Sequence, residues 1–182
     1  MKTPPGNFVR HSTPLGEIVM EEREGKISRL LFANEFSPSV CEKNSALLAN
    51  ACRQLDEYFS GARKEFSLPL APSGTPFQKR IWDELEKIPF GETASYKGIA
   101  ARAGLANAVR AVGSACGKNP ILFLIPCHRV ISASGALGGF RAGLDAKKFL
   151  LKLENATETR EKLAKSLRSR SAKSSLSATC RQ

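Results

Sequence analysis

A run of five large apolar residues, Ile121-Leu122-Phe123-Leu124-Ile125, stops at Pro126 and is followed directly by Cys127 and His128. A run of this length is typical of a short buried strand, and proline ends such a strand because it has no backbone N–H to donate. We therefore predict a strand over 121–125 with Cys127 at its exit, shielded by apolar neighbours and reachable from one side. A thiol in this place is either a small buried hydrophobic group, as most buried cysteines are, or a nucleophile whose thiolate its neighbours favour.

The segment around Cys127 carries positive charge without compensating acids. Residues 93–144 contain no Asp or Glu, although the chain has 17 acidic residues among 182. The cations of this segment are Lys97, Arg102, Arg110, Lys118, Arg129 and Arg141. Such a field favours the anionic thiolate and attracts a polyanion, whereas a merely solvated basic face usually mixes both signs. We expect a nucleic acid or another phosphate-bearing partner.

The overall composition agrees with that expectation. The formal net charge is +11, to which residues 155–182 contribute seven Lys or Arg against two Glu. The hydrophobic content of 42% and the charged content of 25% are those of an ordinary globular protein. A chain of 182 residues is long enough for one compact domain or two small ones.

The cysteines indicate a reducing compartment. Five cysteines occur without a CxxC spacing, and the chain has only two histidines, so we expect no structural zinc. Reduced thiols are typical of a cytoplasmic (nucleoid-associated) protein, or of a nuclear one in a eukaryote. Residues 1–10 lack the apolar core of a signal peptide, and no run approaches the length of a membrane span, so we expect no membrane association.

Local patterns divide the chain into three parts. Apolar stretches and turn signals over 7–34 predict a β-hairpin or meander, and apolar residues at helical spacing predict a helix over 44–59. A Pro-, Ser- and Gly-rich stretch over 68–74 marks a boundary. The predicted parts are an α/β N-terminal domain over 1–72, a mainly helical domain over 73–157, and a basic, Ser-rich tail over 158–182, disordered except for at most one short helix over 158–167.

Helix signals are strong in the second part. Thr75-Pro76-Phe77-Gln78 combines an N-cap threonine, a proline at the first helical position and a glutamine at the third, which predicts a helix start. Two short helices are predicted over 95–103 and near 107–116, in the manner of a helix-turn-helix, although any αα-hairpin gives the same pattern. The second surrounds Arg110 with small residues. Such a helix suits either tight helix packing or close approach to nucleic acid, and the cationic surroundings favour the nucleic acid.

The second part also carries the motifs of a known family. In chain order these are Phe90-Gly91-Glu92, Ser95-Tyr96, Ile99-Ala100, Arg110 to Gly113, Asn119-Pro120, Ile125 to Val130, Ser134-Gly135, Gly138-Gly139, Gly143-Leu144 and Glu154. They resemble the O6-alkylguanine-DNA alkyltransferases, also called methylated-DNA–protein-cysteine methyltransferases. The resemblance covers about residues 75–154, is most specific around Cys127, is loose in the N-terminal part and does not extend past Glu154.

The resemblance implies a fold and an activity. The N-terminal domain should be ribonuclease H-like, and the helical domain should bind double-stranded DNA through a helix-turn-helix in the minor groove. The implied activity is direct repair of O6-alkylguanine, and of O4-alkylthymine as well, by irreversible transfer of the alkyl group to Cys127. Because a thioether is not a leaving group here, each molecule acts once. It should need no metal, nucleotide or methyl-donor cofactor, and we expect a monomer.

Family roles carry over to individual residues of this chain. Cys127 is the nucleophile, His128 removes its proton through a water, and Glu154 orients the imidazole. Tyr96 protonates N3 of the guanine, and Asn119 ties the recognition helix to the Cys127 segment. By position alone Glu154 also fits a solvated surface carboxylate, and Tyr96 a core residue at a helix start, so these roles rest on the resemblance.

The resemblance also implies a base pocket and a DNA surface. The pocket should be lined by Pro126, Gly139, Phe140 and Arg141, with Phe140 where many members have tyrosine. Arg110 should replace the damaged base once that base has been extruded from the stack. The remaining expected DNA contacts are Ser95, Lys97, Ala108, Ala111, Gly113 and Lys118.

Three alternatives remain from the sequence. A non-catalytic relative that binds alkylated DNA replaces the reactive cysteine, and Cys127 argues against it. A DNA-binding regulator would keep Cys127 buried and inert. A cysteine hydrolase would turn over repeatedly, whereas an alkyltransferase stops after one equivalent.

Overall fold

The first part of the chain is a small antiparallel sheet covered by a helix. The structure, a computed structural model, describes residues 6–35 and 43–155. The strands are β1 (Asn7–Thr13), β2 (Gly16–Arg23) and β3 (Lys26–Phe32), in the order β1-β2-β3. A 3₁₀ turn (Ala33–Glu35) and helix α1 (Ala46–Phe59) follow. The predicted β-meander and the predicted first helix are confirmed.

Helix α1 covers the apolar face of the sheet. Its N-cap is Ser45, whose side chain accepts a hydrogen bond from the backbone N–H of Leu48. Leu48 and Leu55 of the helix and Ile18 and Leu30 of the sheet are completely buried in one continuous core. Burial of these alternating and helically spaced apolar residues fixes how α1 lies on the sheet.

The second part is mainly helical. Its elements are α2 (Pro76–Glu86), β4 (Ala94–Ser95), α3 (Tyr96–Arg102), α4 (Val109–Gly117), a 3₁₀ turn (Cys127–Arg129), β5 (Val130–Ile131) and α5, which covers 144–155. Helix α2 starts with the predicted capping box between Thr75 and Gln78. Helices α3 and α4 confirm the predicted helix pair, and Gly104 ends α3 with a left-handed φ of 67°.

The predicted strand over 121–125 is wrong. Ile121 alone forms a bridge, to Leu30, and the chain then turns through Phe123, whose φ is +65°. The backbone N–H of Ile125 bonds back to the carbonyl of Ile121 at 3.1 Å. All five residues are buried, so a fully apolar run indicated burial correctly but did not distinguish a strand from a buried turn.

Strand β3 connects the two parts of the chain. Its residue Leu30 donates to the carbonyl of Pro120 and accepts from the N–H of Leu122, both at 2.9 Å. Ile27 bonds to the 69–71 segment in the same way, at 2.8 and 2.9 Å. The edge of the N-terminal sheet therefore fixes the segment that leads to Cys127.

Part of the sequence-based description falls outside these residues. The tail predicted over 158–182, Cys41 and Cys180 lie outside the described ranges. Across 6–35 and 43–155, none of the helices has the length and apolar character needed to cross a membrane.

Candidate active site

Cys127 begins the 3₁₀ turn after Pro126 and is 4% exposed. The buried side chain of Asn119 shapes the backbone that leads to it. The amide oxygen of Asn119 accepts from the N–H of Ile121 at 3.0 Å, and its nitrogen donates to the carbonyl of Ile125 at 2.8 Å. The same nitrogen donates to the Cys127 sulfur at 3.3 Å. Asn119 thus clamps both ends of the turn and holds the thiol.

A buried carboxylate, Glu154 on α5, is the centre of a hydrogen-bond network. His128 Nε2 donates to its Oε1 at 2.8 Å. Arg129 donates from Nε to both carboxylate oxygens, at 3.2 and 3.1 Å, and from Nη2 at 3.0 Å. The hydroxyl of Tyr58 donates to Oε1 at 2.7 Å, and the backbone N–H of Gly91 donates to Oε2 at 3.1 Å. Glu154 is therefore a buried structural centre and not a solvated surface carboxylate.

This network makes His128 a neutral base. Burial lowers the pKa of His128 from 6.5, more than Glu154 raises it. Burial alone would raise the pKa of Glu154, but hydrogen bonds from His128 and Arg129 and the positive charge of Arg129 bring it down to about 2. With Nε2 donating to Glu154, the other nitrogen, Nδ1, is the one able to accept a proton. Nδ1 is buried and has no hydrogen-bond partner among the described residues.

The Cys127 thiol differs from the sequence expectation. Burial raises its pKa, and this outweighs the hydrogen bond from Asn119 and the charges of Lys147 and Arg141, which lower it. The cations act in the expected direction, but burial disfavours the thiolate more than the cations favour it. Reaction at this sulfur requires a base that removes its proton.

The thiol opens into a cavity of about 580 Å³. The residues that line it are Tyr96, Val109, Arg110, Gly113, Cys116, Gly117, Cys127, Gly139, Phe140 and Arg141. The cavity thus joins the reactive turn, α3, α4 and the loop before α5. Its volume and largely apolar lining suit a flat heterocycle. The position of Tyr96 on α3 is set by the parallel pairing of β4 with β5, which directly follows the Cys127 turn.

Tyr96 is a protonated hydroxyl at the cavity wall. Burial and the nearby Cys116 and Cys127 sulfurs raise its pKa above 10.0. Its hydroxyl donates to the carbonyl of Gly139 at 3.4 Å. The neutral phenol is therefore available as a proton donor to a group bound in the cavity.

A buried lysine holds the loop that contributes Gly139 to the cavity. Lys147 on α5 is completely buried, and its Nζ donates to the carbonyls of Val130, at 2.6 Å, Leu137, and Gly139, at 3.4 Å. Nζ also lies 6.0 Å from the centre of the Tyr96 ring. Lys147 therefore ties the cavity loop to β5 and brings a positive charge close to the thiol.

Two of the seven candidate DNA-contact residues line this cavity. Arg110 is exposed on α4 and lines the cavity, as Gly113 does. The other expected contacts are Lys97, Ala111 and Lys118, all exposed, and the half-buried Ala108 and Ser95. Ser95 is also the N-cap of α3, where its hydroxyl accepts from the N–H of Gly98 at 3.0 Å.

Two of the expected pocket residues have other neighbours. Pro126 lines a separate cavity together with Phe90 and Arg129. Arg141 lines the Cys127 cavity but also pairs with Glu35 at 2.8 Å and donates to the carbonyl of Asn119 at 3.4 Å. Arg141 therefore links the cavity loop to the N-terminal part of the chain.

Sequence reasoning missed three residues of the site. Arg129 was counted only as a surface cation, although it is part of the Cys127 motif. Lys147 shares a helical face with Leu150 and Glu154, and this spacing was a usable signal for burial. Tyr58 follows the apolar spacing of α1 and gave no signal for its hydroxyl. Among the described residues, no three His, Cys, Asp or Glu side chains are grouped to hold a metal ion.

Comparison with known proteins assigns this site to a family. The family model for the DNA-binding domain of 6-O-methylguanine DNA methyltransferase matches residues 76–156, and the model for its ribonuclease-like domain matches residues 11–72. This chain belongs to the 6-O-methylguanine DNA methyltransferase family. The resemblance seen in the sequence and the ribonuclease-like character of the N-terminal part are confirmed.

Individual members of the family are similar over most of their length. The constitutive methylated-DNA–protein-cysteine methyltransferase of Bacillus subtilis is 45% identical over 155 residues, 81% of this chain and 94% of that protein. The Methanosarcina barkeri protein of that name is 46% identical, over 78% of this chain and 92% of its own. A crystal structure of Mycobacterium tuberculosis OGT in complex with DNA matches with a TM-score of 0.78 and 38% identity, covering 83% of this chain and 94% of that one.

The Glu154 network predicts a specific pH dependence of stability. Because the pKa of Glu154 is about 2 when folded and ordinarily 4.5, its stabilisation is complete above 4.5 and is lost as the pH falls towards 2. Between about pH 5 and about pH 3 this loss amounts to about 2 kcal/mol. The difference in unfolding free energy between the unsubstituted chain and Glu154→Gln should shrink by that amount, measured by urea unfolding at each pH.

The matched control is Glu17→Gln, which removes an exposed carboxylate paired with Arg10 at 2.8 Å. A surface ion pair contributes little to stability, so the difference in unfolding free energy between the unsubstituted chain and Glu17→Gln should stay nearly constant with pH. A Glu154→Gln difference that does not change with pH would contradict the role of Glu154 as a buried, ionised centre.

Proposed function

We propose that this protein repairs O6-alkylguanine in double-stranded DNA by transferring the alkyl group to the sulfur of Cys127, irreversibly and once per molecule. The observation that carries the proposal is the cavity in which the Cys127 thiol faces the protonated hydroxyl of Tyr96, beside the neutral base His128. Family membership supports the reaction class, since the similar proteins are named as methyltransferases that modify a cysteine of the protein.

The first step is removal of the thiol proton. A neutral thiol is a poor nucleophile, and burial keeps Cys127 neutral in this structure. The proton passes to His128 Nδ1 through one water, because a buried nitrogen without a partner needs a hydrogen-bond donor. Glu154 stabilises the imidazolium that forms, while Asn119, Lys147 and Arg141 stabilise the thiolate.

The second step is transfer of the alkyl carbon. The thiolate attacks this carbon in line, the S–C bond forms, and the C–O6 bond breaks with its electron pair left on the guanine. Tyr96 donates its proton to N3 of the departing guanine, which neutralises the charge. The imidazolium proton returns to the tyrosinate through solvent, so the products are S-alkylcysteine and unmodified guanine.

The damaged base has to leave the stack to reach this cavity. Extrusion costs a few kcal/mol, and a side chain that fills the gap offsets part of it. Arg110 is the candidate because it is exposed and borders the mouth of the cavity. The small residues around it on α4 allow the helix to enter a minor groove, where bulky side chains do not fit. Loop backbone at Gly139 and the ring of Phe140 would hold the extruded base.

We also propose how the chain is divided into domains, a second substrate, the oligomeric state and the compartment. We assign an N-terminal domain to 1–72, the alkyltransferase and DNA-binding domain to 73–157 and a basic tail to 158–182. The two matched family models, which end at 72 and begin at 76, support the first boundary. O4-alkylthymine is a second substrate in this proposal, and the protein acts as a monomer. It works in the cytoplasm beside the genome, or in the nucleus of a eukaryote.

Incubation with duplex DNA that contains one O6-methylguanine tests the proposal directly. The peptide that contains Cys127 should gain one methyl group, about 14 Da, and the reaction should stop at one equivalent. Cys127→Ala should bind the same DNA without reacting, because the basic surface is unchanged. An unmodified Cys127 would support the DNA-binding regulator instead, and repeated turnover would support a hydrolase.

Gly138→Ala should slow the transfer by displacing Tyr96. A Cβ at Gly138 would lie 2.8 Å from the Tyr96 hydroxyl and 2.9 Å from its ring. We expect the single-turnover rate to fall by at least about tenfold, because a displaced general acid loses most of its contribution to the rate. Gly135→Ala is the matched control: its φ of 84° is also left-handed, but nothing lies within 4 Å of its Cβ. Equal rates for the two variants would contradict the role of Tyr96.

Arg110→Ala should affect duplex DNA more than a free base. We expect transfer from O6-methylguanine in duplex DNA to slow about tenfold or more, because extrusion is no longer supported. Reaction with free O6-benzylguanine, which needs no extrusion, should change little. Lys118→Ala removes the same charge beside α4 without touching the cavity lining, and it should weaken DNA binding alone. Equal losses on both substrates for Arg110→Ala would count against extrusion.

A further inference from the structure

The hydroxyl of Tyr58 reaches the site from the N-terminal part of the chain. Tyr58 lies near the end of α1 and is completely buried. Its hydroxyl donates to Oε1 of Glu154 at 2.7 Å, the same oxygen that accepts from His128 at 2.8 Å. The Tyr58 oxygen and His128 Nε2 are 3.5 Å apart. The phenol and the imidazole therefore compete for one carboxylate oxygen.

We propose that Tyr58 is a positioning residue for alkyl transfer, which tunes how strongly Glu154 holds His128 and hence how readily His128 Nδ1 accepts the Cys127 proton. This inference rests on the proposed function, since it concerns the same proton transfer. Through Tyr58, the ribonuclease-like part would influence the reaction that the helical part carries out. Tyr58 touches neither the substrate cavity nor the thiol in the contacts described above, so its effect passes through Glu154.

The effect of the Tyr58 hydroxyl on His128 can be separated from the effects of the charged groups around His128. Glu154 and Lys147 face His128 from α5, Arg129 and Cys127 lie on its own turn, and Tyr58 faces it from α1. Glu154 raises the pKa of His128, whereas Arg129 and Lys147 lower it. Removing Arg129 or Lys147 removes a charge as well as hydrogen bonds. Removing the Tyr58 hydroxyl withdraws one neutral donor from Oε1 and leaves every one of these charges in place.

The hydroxyl can also be separated from the packing of the ring. The Tyr58 ring lies 5.3 Å from Phe59, 5.2 Å from Phe66 and 6.1 Å from Phe90, measured between ring centres. Phenylalanine preserves these contacts. Burial and the Glu154 charge raise the pKa of Tyr58 well above 10.0, so the phenol acts as a donor and not as a competing base.

The experiment is the pH profile of single-turnover transfer from duplex DNA with one O6-methylguanine, at saturating protein. The rate should rise with pH as His128 loses its proton. In Tyr58→Phe, Glu154 has one donor fewer, holds the imidazolium more strongly and raises the pKa of His128. The acidic limb of the profile should therefore move up by as much as about 1 pH unit, which is less than a whole hydrogen bond to a charged group is worth, because only part of the lost Tyr58 bond passes to His128.

Two comparisons distinguish this effect from loss of packing. Phe59→Leu removes part of a neighbouring ring that lies 5.4 Å from Phe123, and it should lower stability without moving the acidic limb. On a Glu154→Gln background, Tyr58→Phe should no longer move the limb, because the charge through which it acts is gone. Thermal unfolding of each variant verifies that it is folded at the pH values used.

The outcomes separate this inference from the proposed function. If the unsubstituted chain leaves Cys127 unmodified, the proposed function fails. If it transfers the methyl group and Tyr58→Phe has an unchanged limb, the inference alone is overturned. The inference is also overturned if Phe59→Leu shifts the acidic limb by the same amount, or if Tyr58→Phe still shifts it on the Glu154→Gln background. A shift confined to Tyr58→Phe with Glu154 present supports it.

Discussion

The buried carboxylate of Glu154 is the interaction on which the site depends. It accepts hydrogen bonds from α1, from the turn before β4 and from the two residues that follow Cys127. Burying a carboxylate is costly unless it is paired, and Arg129 supplies the charge that offsets the cost. Breaking such a pair by removing one partner typically costs about 3–5 kcal/mol. Glu154 therefore orients the imidazole and joins α1 to the helical part of the chain, in addition to the contacts that Asn119 and β3 make.

This arrangement explains how a buried cysteine serves as a nucleophile. Burial of Cys127 disfavours its thiolate, and burial of His128 keeps that imidazole neutral and able to accept a proton. Asn119 and Lys147 stand ready to stabilise the anion once it forms. The thiol is thus protected while the cavity is empty and is activated by its neighbours at the moment of reaction, which suits a protein that can react only once.

The sequence predicted most of the secondary structure, because its signals were local. The capping box at Thr75, the turn-bounded strands before position 34 and the spacing of α1 each depend on nearby residues. The run 121–125 was assigned wrongly because its shape is set by Asn119 and by the edge of β3, which are contacts that an apolar pattern does not encode.

The sequence predicted only some of the residues of the site. The roles expected of Cys127, His128, Asn119, Tyr96 and Glu154 came from family resemblance. In the structure Cys127 and Tyr96 line one cavity, His128 and Glu154 share one hydrogen-bond network, and Asn119 bonds to the Cys127 sulfur. Tyr58 and Lys147 were missed, since their polar atoms act through contacts with residues distant in the sequence. The upward shift in the pKa of Cys127 was also missed, because the number of nearby cations is visible in the sequence whereas the depth of burial is not.

Glu154 fixes His128 in one protonation state, with the proton on Nε2 and with Nδ1 free to accept a second proton. Nitrogen NMR of the histidine rings at neutral pH tests it most directly. The chain has two histidines, and a His11→Gln variant assigns the signals. We expect a neutral His128 ring that is protonated at Nε2 alone. A ring protonated at Nδ1, or at both nitrogens, would contradict it.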